Sequence, residues 1–238
     1  METLNKNFGI KFANFNPENI QCDDTINAVF ILDVSPSMDD KLRDPATGAI
    51  LPDSRISALN KGLNEFVEQM QKSHVKDRLF VSVITFNGMV MPQHGFRPIL
   101  DLTPFNLSTT GGATAVFDAT LVGVENAMEY REQLENTGIT CKTLVFIITD
   151  GEDNMSKPGA ADKVKEKLEQ IMKQEKNVFS FTTILFGLGE EAEFEFAQKA
   201  MGIQHLAKVG DNIRKMINFI SSSVSSSASG QQISTVTF

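Results

Sequence analysis

The segment AVFILDVSPSMDD (28–40) runs apolar into Asp33 and then places Ser35 and Ser37 at every second residue. In extended chain, residues two apart point to the same side, so one carboxylate and two hydroxyls converge. A second apolar segment, KTLVFIITDGEDN (142–154), ends the same way in Asp150. Between them STTGGATAVFDA (108–119) turns tightly at Gly111 and Gly112 and offers the Thr114 hydroxyl from the start of a helix. An all-oxygen set with neither His nor Cys suits a hard cation, Mg2+ first, with Mn2+ and Ca2+ as alternatives. If hydroxyls bond the ion directly and the carboxylates act through water, the ion keeps much of its charge. A carboxylate from a protein partner is then the natural way to complete its shell.

These groups meet only if the two apolar segments are neighbouring strands. Four segments have the β-branched and aromatic content of strands: NAVFILD (27–33), RLFVSVITF (78–86), KTLVFIITD (142–150) and VFSFTTILFG (178–187). They are apolar almost without alternation, as strands covered on both faces are. Helical periodicity separates them over 55–73, 114–135, 158–175, 190–201 and 211–225. In the first, Ile56, Leu59, Leu63, Phe66, Val67 and Met70 recur at steps of three and four. Strands alternating with helices predict an α/β, doubly wound, mostly parallel sheet with helices on both faces. Ligands of such sheets sit outside the carboxyl ends of the strands, where strand order reverses. The three prolines of 87–108 leave room for one short edge strand at most. FGIKFANF, near the N-terminus, alternates as an added strand would, and the Ser-rich end from residue 221 is expected to be loose or accessory.

At 238 residues the chain suits one domain of ordinary size. A net charge of −8 argues against binding nucleic acid or an anionic membrane, since both are polyanions. The N-terminus lacks the pattern of a signal peptide and no apolar run is long enough to span a bilayer. Two cysteines, Cys22 and Cys141, make no disulfide scaffold. Together these features predict a cytoplasmic protein.

DVSPS at 33–37, the threonine of GGAT at 111–114 and TDG at 149–151, in that order, resemble the metal-ion-dependent adhesion site (MIDAS) of the von Willebrand factor A (vWA) family. The resemblance implies a six-stranded, mostly parallel sheet between helices. It divides the chain into an N-terminal extension (1–25), a vWA domain (26–226) and a tail (227–238). By the same resemblance Ser35, Ser37 and Thr114 are direct metal ligands, Asp33 and Asp150 act mainly through water, and a partner supplies Asp or Glu. The chain also resembles the bacterial TerY-like proteins of tellurium-resistance and stress-response clusters. It departs from the family at Pro36, where a small residue is commoner, and at 38–54, which is longer than the usual link to the first helix. That loop carries Asp39, Asp40, Asp44 and Asp53 to the rim of the site, to shape partner choice or to occlude the site with its own carboxylate.

Each piece alone has a plainer reading as a turn or a helix cap. Asp118 either bonds the site loops or faces solvent. FGLGEEAE (186–193) fits the dinucleotide pattern G-x-G-x-x-A at Gly187, Gly189 and Ala192, but Glu190 and Glu191 would face the pyrophosphate. His74, His94 and His205 have no partner pattern. A phosphotransferase of the aspartyl type would want an acid where Ser35 stands. The expectation is a Mg2+-dependent protein-binding module and not an enzyme. The alternatives are a metal-dependent hydrolase or phosphotransferase in the same cleft, and a structural subunit with a vestigial site.

Overall fold

The computed structural model describes residues 3–5, 10–12, 24–44, 46–174, 180–189 and 194–228. Two short strands, β1 (Thr3–Asn5) and β2 (Ile10–Phe12), pair antiparallel as a small sheet of their own. FGIKFANF therefore contributes to a separate hairpin, and its remaining residues lie outside those described. The main chain path then runs β3 (Asp24–Asp33), β4 (Lys41–Arg43), β5 (Ile50–Ser54), α1 (Arg55–Gln71), β6 (Leu79–Phe86), β7 (Val90–Pro98) and α2 (Val116–Asn136). It continues through β8 (Thr140–Thr149), α3 (Ala160–Gln174), β9 (Phe181–Leu188), α4 (Phe194–Met201), β10 (His205–Gly210) and α5 (Ile213–Ala228).

The central sheet has six strands in the order β10-β9-β8-β3-β6-β7, parallel except for β7. Successive residues of β3 serve opposite faces, as the pleat requires. Ala28, Phe30 and Leu32 enter a core shared with α1 and α5, while Val29 and Ile31 enter one shared with α2, α3 and α4. Phe30 lies 5.3 Å from both Phe66 of α1 and Phe146 of β8, ring centre to ring centre. Each such fully buried aromatic contributes on the order of 2 kcal/mol through burial alone. The two cores make the sheet a rigid base, and its carboxyl ends carry the loops of interest.

Four features differ from the sequence expectations. The proline-containing stretch holds a nine-residue strand, β7, which runs antiparallel on the sheet edge. Pairing shifts register next to Pro92, and an edge position leaves prolines without a lost ladder bond on the outer side. The last strand, β10, carries no run of apolar residues because it too is an edge strand. The link 38–54 folds as a 3-10 turn (Pro36–Asp39) followed by the β4–β5 hairpin. Finally, the expected helix over 211–225 runs on to Ala228, so the start of the Ser-rich end is docked and not loose, with Val224 wholly buried in the α1–α5 core. There Ser225 and Ser227 donate their hydroxyls to the carbonyls of Ser221 and Ser223, one turn back, so the helix absorbs its own serines.

Candidate functional site

Strand order reverses at β3. The chain leaves β3 toward β6 and β7 on one side, then crosses to β8, β9 and β10 on the other. The crevice between the ends of β3 and β8 is thus the switch point. Leu32 pairs with Ile148, which brings Asp33 and Thr149 side by side. Thr149 donates its hydroxyl to Asp33 Oδ2 at 2.6 Å, and the Ser35 amide donates to Asp33 Oδ1 at 2.8 Å. The Val34 amide bonds the Phe86 carbonyl at 2.8 Å, holding the chain extended past the strand end. Met38 then turns fully into the α1–α5 core and pins the 3-10 turn that carries Ser37.

The two serine oxygens lie 3.1 Å apart, and Ser37 donates its hydroxyl to Asp150 Oδ1 at 2.8 Å. Asp33, Ser35, Ser37 and Asp150 therefore form one connected set, joined through the Ser35 amide at one end and through hydroxyls at the other, and the strand ends do meet. Asp33 is wholly buried, and burial pushes its carboxyl up to about 6. The bonds from Thr149 and Ser35 oppose that rise, while the charge of Asp150 adds to it.

Thr114 reaches the crevice by a different route. Asn60 and Asn64, one turn apart on α1, each bond both backbone groups of a loop residue, Leu107 and Phe105 respectively, at 2.6–3.1 Å. The Thr110 amide then bonds the Val34 carbonyl at 2.8 Å, and Asn87 donates to the Thr110 carbonyl at 2.9 Å. Gly111, at φ +80°, leaves the space that Asn87 fills. Thr114 is finally held by Asn154, whose side chain accepts from its amide at 2.8 Å and whose amide donates to its carbonyl at 2.9 Å. Its hydroxyl lies over Gly151, 3.6 Å from where a Cβ would stand. Among the described residues, no hydrogen bond links Thr114 to the serines or the two aspartates.

Asp118 bonds a site loop: it accepts from the Lys157 amide at 3.2 Å while Ser156 caps the Asp118 amide at 3.0 Å. Two acids of 38–54, Asp40 and Asp44, line the cleft beside Ser37 and Asp150, but among the described residues neither carboxylate bonds the serines or Asp150. Asp44 is used by its own turn, through Ala46 and Thr47, and Asp53 by Lys61 and Ser57. What enters instead is a cation that the sequence reading overlooked. Arg55 donates Nη1 to Asp150 Oδ2 at 2.9 Å and Nε to Asp211 Oδ1 at 3.3 Å, with Asp40 at 3.8 Å. Burial works against its charge, yet Asp150 and then Asp211 hold the guanidinium above its ordinary value. The signal was local: a basic residue opens α1, where the helix dipole favours an acid. Ser37, Arg55, Asp150, Asp211 and the β4 residues Lys41 and Arg43 line a cleft of about 680 Å³ between the hairpin and the ends of β9 and β10.

No cluster of three or more His, Cys, Asp or Glu able to hold a metal occurs among the described residues. Any ion here would depend on hydroxyls, and the oxygen-only donor set at Ser35, Ser37 and Asp150 fits a hard divalent one.

No family model matches the sequence, and a search of curated proteins found no match. Solved structures do match. BatB from Bacteroides thetaiotaomicron aligns with a TM-score of 0.56 at 16% identity, over 86% of this chain and 99% of that one. A von Willebrand factor type A protein from Catenulispora acidiphila aligns at 0.57 and 14% identity, over 85% of this chain and 43% of that one. The fold is vWA-like. The pilus adhesin SpaC from Lactobacillus rhamnosus GG also aligns, at 0.56 and 12% identity, over 91% of this chain and 32% of its own length.

Within the vWA-like fold the glycine pattern at 187–192 has a packing explanation. A Cβ on Gly187 would sit 2.3–2.6 Å from the Phe194 ring, and one on Gly189 would meet Arg55 Nη2 at 2.7 Å. Ala192, Glu190 and Glu191 lie outside the described residues. His94 is on β7, its Nδ1 2.8 Å from the Gly95 carbonyl, and burial lowers its basicity. His205 opens β10 and His74 follows α1, both away from the crevice. No helix among the described residues is long and apolar enough to cross a membrane.

Proposed function

We propose that this vWA-like protein binds a protein partner through a Mg2+ ion at the β3–β8 switch point, with Mn2+ or Ca2+ able to substitute. Ser35, Ser37 and Thr114 would hold the ion, Asp33 and Asp150 would orient its waters, and an Asp or Glu of the partner would complete the shell. When bound, the ion supplies a positive charge that neutral hydroxyls leave largely uncompensated. The observation that carries this reading is the connected set Asp33–Ser35–Ser37–Asp150, closed by the Ser37–Asp150 bond across 113 residues of sequence.

The surroundings favour a protein over a small substrate. Ile50, Met89, Met155 and Phe196 are 59–68% exposed, and all lie on the hairpin, loops or helix start at the carboxyl end of the sheet. Exposed apolar side chains around a polar site are what a protein interface uses. Hydrolysis or phosphoryl transfer would need a general base or nucleophile beside the ion. Arg55, the basic residue bonded to Asp150, stays protonated and serves neither role.

The test is a pull-down from host lysate with wild-type and Asp33→Ala baits, each in Mg2+ and in EDTA. A partner captured only by wild type in Mg2+ supports ion-bridged binding. A partner captured equally in all four arms overturns it, and moves the interface to the hairpin.

A further inference from the structure

We propose that Arg55 is a resident competitor for the ion: its guanidinium occupies Asp150 in the metal-free protein and so sets the ion concentration at which the site loads. The inference rests on the ion-bridged reading above and concerns the same site.

Arg55 stands at the first position of α1, directly after the Ser54 cap, where the helix dipole opposes a positive charge. It is held there by acids from three places: Asp40 of the 3-10 turn region, Asp150 after β8 and Asp211 after β10. Its own amide bonds the Asp40 carbonyl at 3.0 Å, which ties the helix start to the end of the serine-bearing turn. Gly189, at φ +74°, has no side chain and lets Nη2 lie against the end of β9. The arginine is thus built into the crevice and is not a mobile surface residue.

Its effect falls on Asp150. That side chain has no exposed surface, and both its oxygens are engaged, Oδ1 by Ser37 and Oδ2 by Arg55. A water bound to an incoming ion must share Asp150 with these donors, and one of them already carries a full positive charge. The guanidinium is also a fixed charge bonded to the same carboxylate as Ser37, and its repulsion of a divalent cation across a partly buried gap is only weakly screened. Arginine cannot escape by losing a proton, so the competition persists at every physiological pH.

The experiment is a Mn2+ titration followed by the electron paramagnetic resonance of free ion, on wild type, Arg55→Met and Arg55→Lys, with thermal melts on each. Arg55→Met is expected to bind Mn2+ about tenfold or more tightly than wild type, and Arg55→Lys, which keeps the charge, to stay near wild type. A purely structural arginine would leave affinity unchanged or weaken it, and either result overturns the proposal. Should Arg55→Met fail to fold, Arg55→Gln keeps a hydrogen bond to Asp150 without the charge and carries the same expectation. If wild type takes up Mn2+ and the neutral variants gain nothing, only the competitor role fails. If no form takes up Mn2+, the ion-bridged reading fails with it.

Discussion

Thr149 donates its hydroxyl to the Asp33 carboxylate at 2.6 Å, joining the ends of two neighbouring strands 116 residues apart in sequence. This bond lies beneath the serines and involves a residue with 1% exposure. Thr149→Val preserves shape and removes the donor. It should lower stability by about 1–3 kcal/mol at pH 7, because a buried carboxylate loses one of its two partners. Urea denaturation in EDTA measures this, and an unchanged midpoint would show that the bond contributes nothing.

Asp33 also gives the metal-free protein a pH dependence of definite sign. Its carboxyl is raised from 3.8 to about 6, so between those values the folded chain binds a proton that the unfolded chain has released. Stability contributed by this group is complete below pH 3.8 and lost as pH rises through about 6. The loss approaches about 3 kcal/mol at neutral pH. Asp33→Asn should therefore be more stable than wild type at pH 7.5 in EDTA, and the difference should shrink toward pH 4. The asparagine can keep the Ser35 bond and donate to Thr149, whose own hydrogen can turn to the Gly151 carbonyl at 3.3 Å. Chemical denaturation of both proteins at several pH values decides the matter.

An ion that binds only the folded chain must raise its melting temperature. Saturating Mg2+ at a hundred times its dissociation constant should add about 2.7 kcal/mol over EDTA. Ser35→Ala and Ser37→Ala should abolish the gain while leaving the melt in EDTA within a few degrees of wild type. A gain that survives both substitutions would place the ion elsewhere.

Two glycines at the end of β9 should respond differently to alanine. Gly187→Ala drives a methyl into the Phe194 ring and should cost about 1–3 kcal/mol through overpacking, with ion binding unaffected. Gly189→Ala meets Arg55 and must also adopt φ +74°, which disfavours a side chain. It should destabilise to a similar degree and, by dislodging Arg55, also shift Mn2+ affinity. Melts and Mn2+ titrations of the two variants separate the effects.

Much of this molecule was legible along the chain. The buried strands carry apolar runs set by their own residues, and their alternation with amphipathic helices implies the doubly wound sheet. Asp33, Ser35, Ser37 and Asp150 stand at strand ends that those runs define, so their convergence required only that β3 and β8 be neighbours. The edge strands were less visible. β10 is short and half exposed, and β7 tolerates prolines, because an edge asks less of each side chain than a buried centre does. Only tertiary structure decided the rest. Arg55 meets Asp150 and Asp211 across 95 and 156 residues, through strand order and the approach that Gly189 permits, and no local pattern encodes a pairing of that range. Burial of Asp33 is likewise a property of the packed crevice. The sequence determined which oxygens stand at the site, and the fold determined which cation already sits among them.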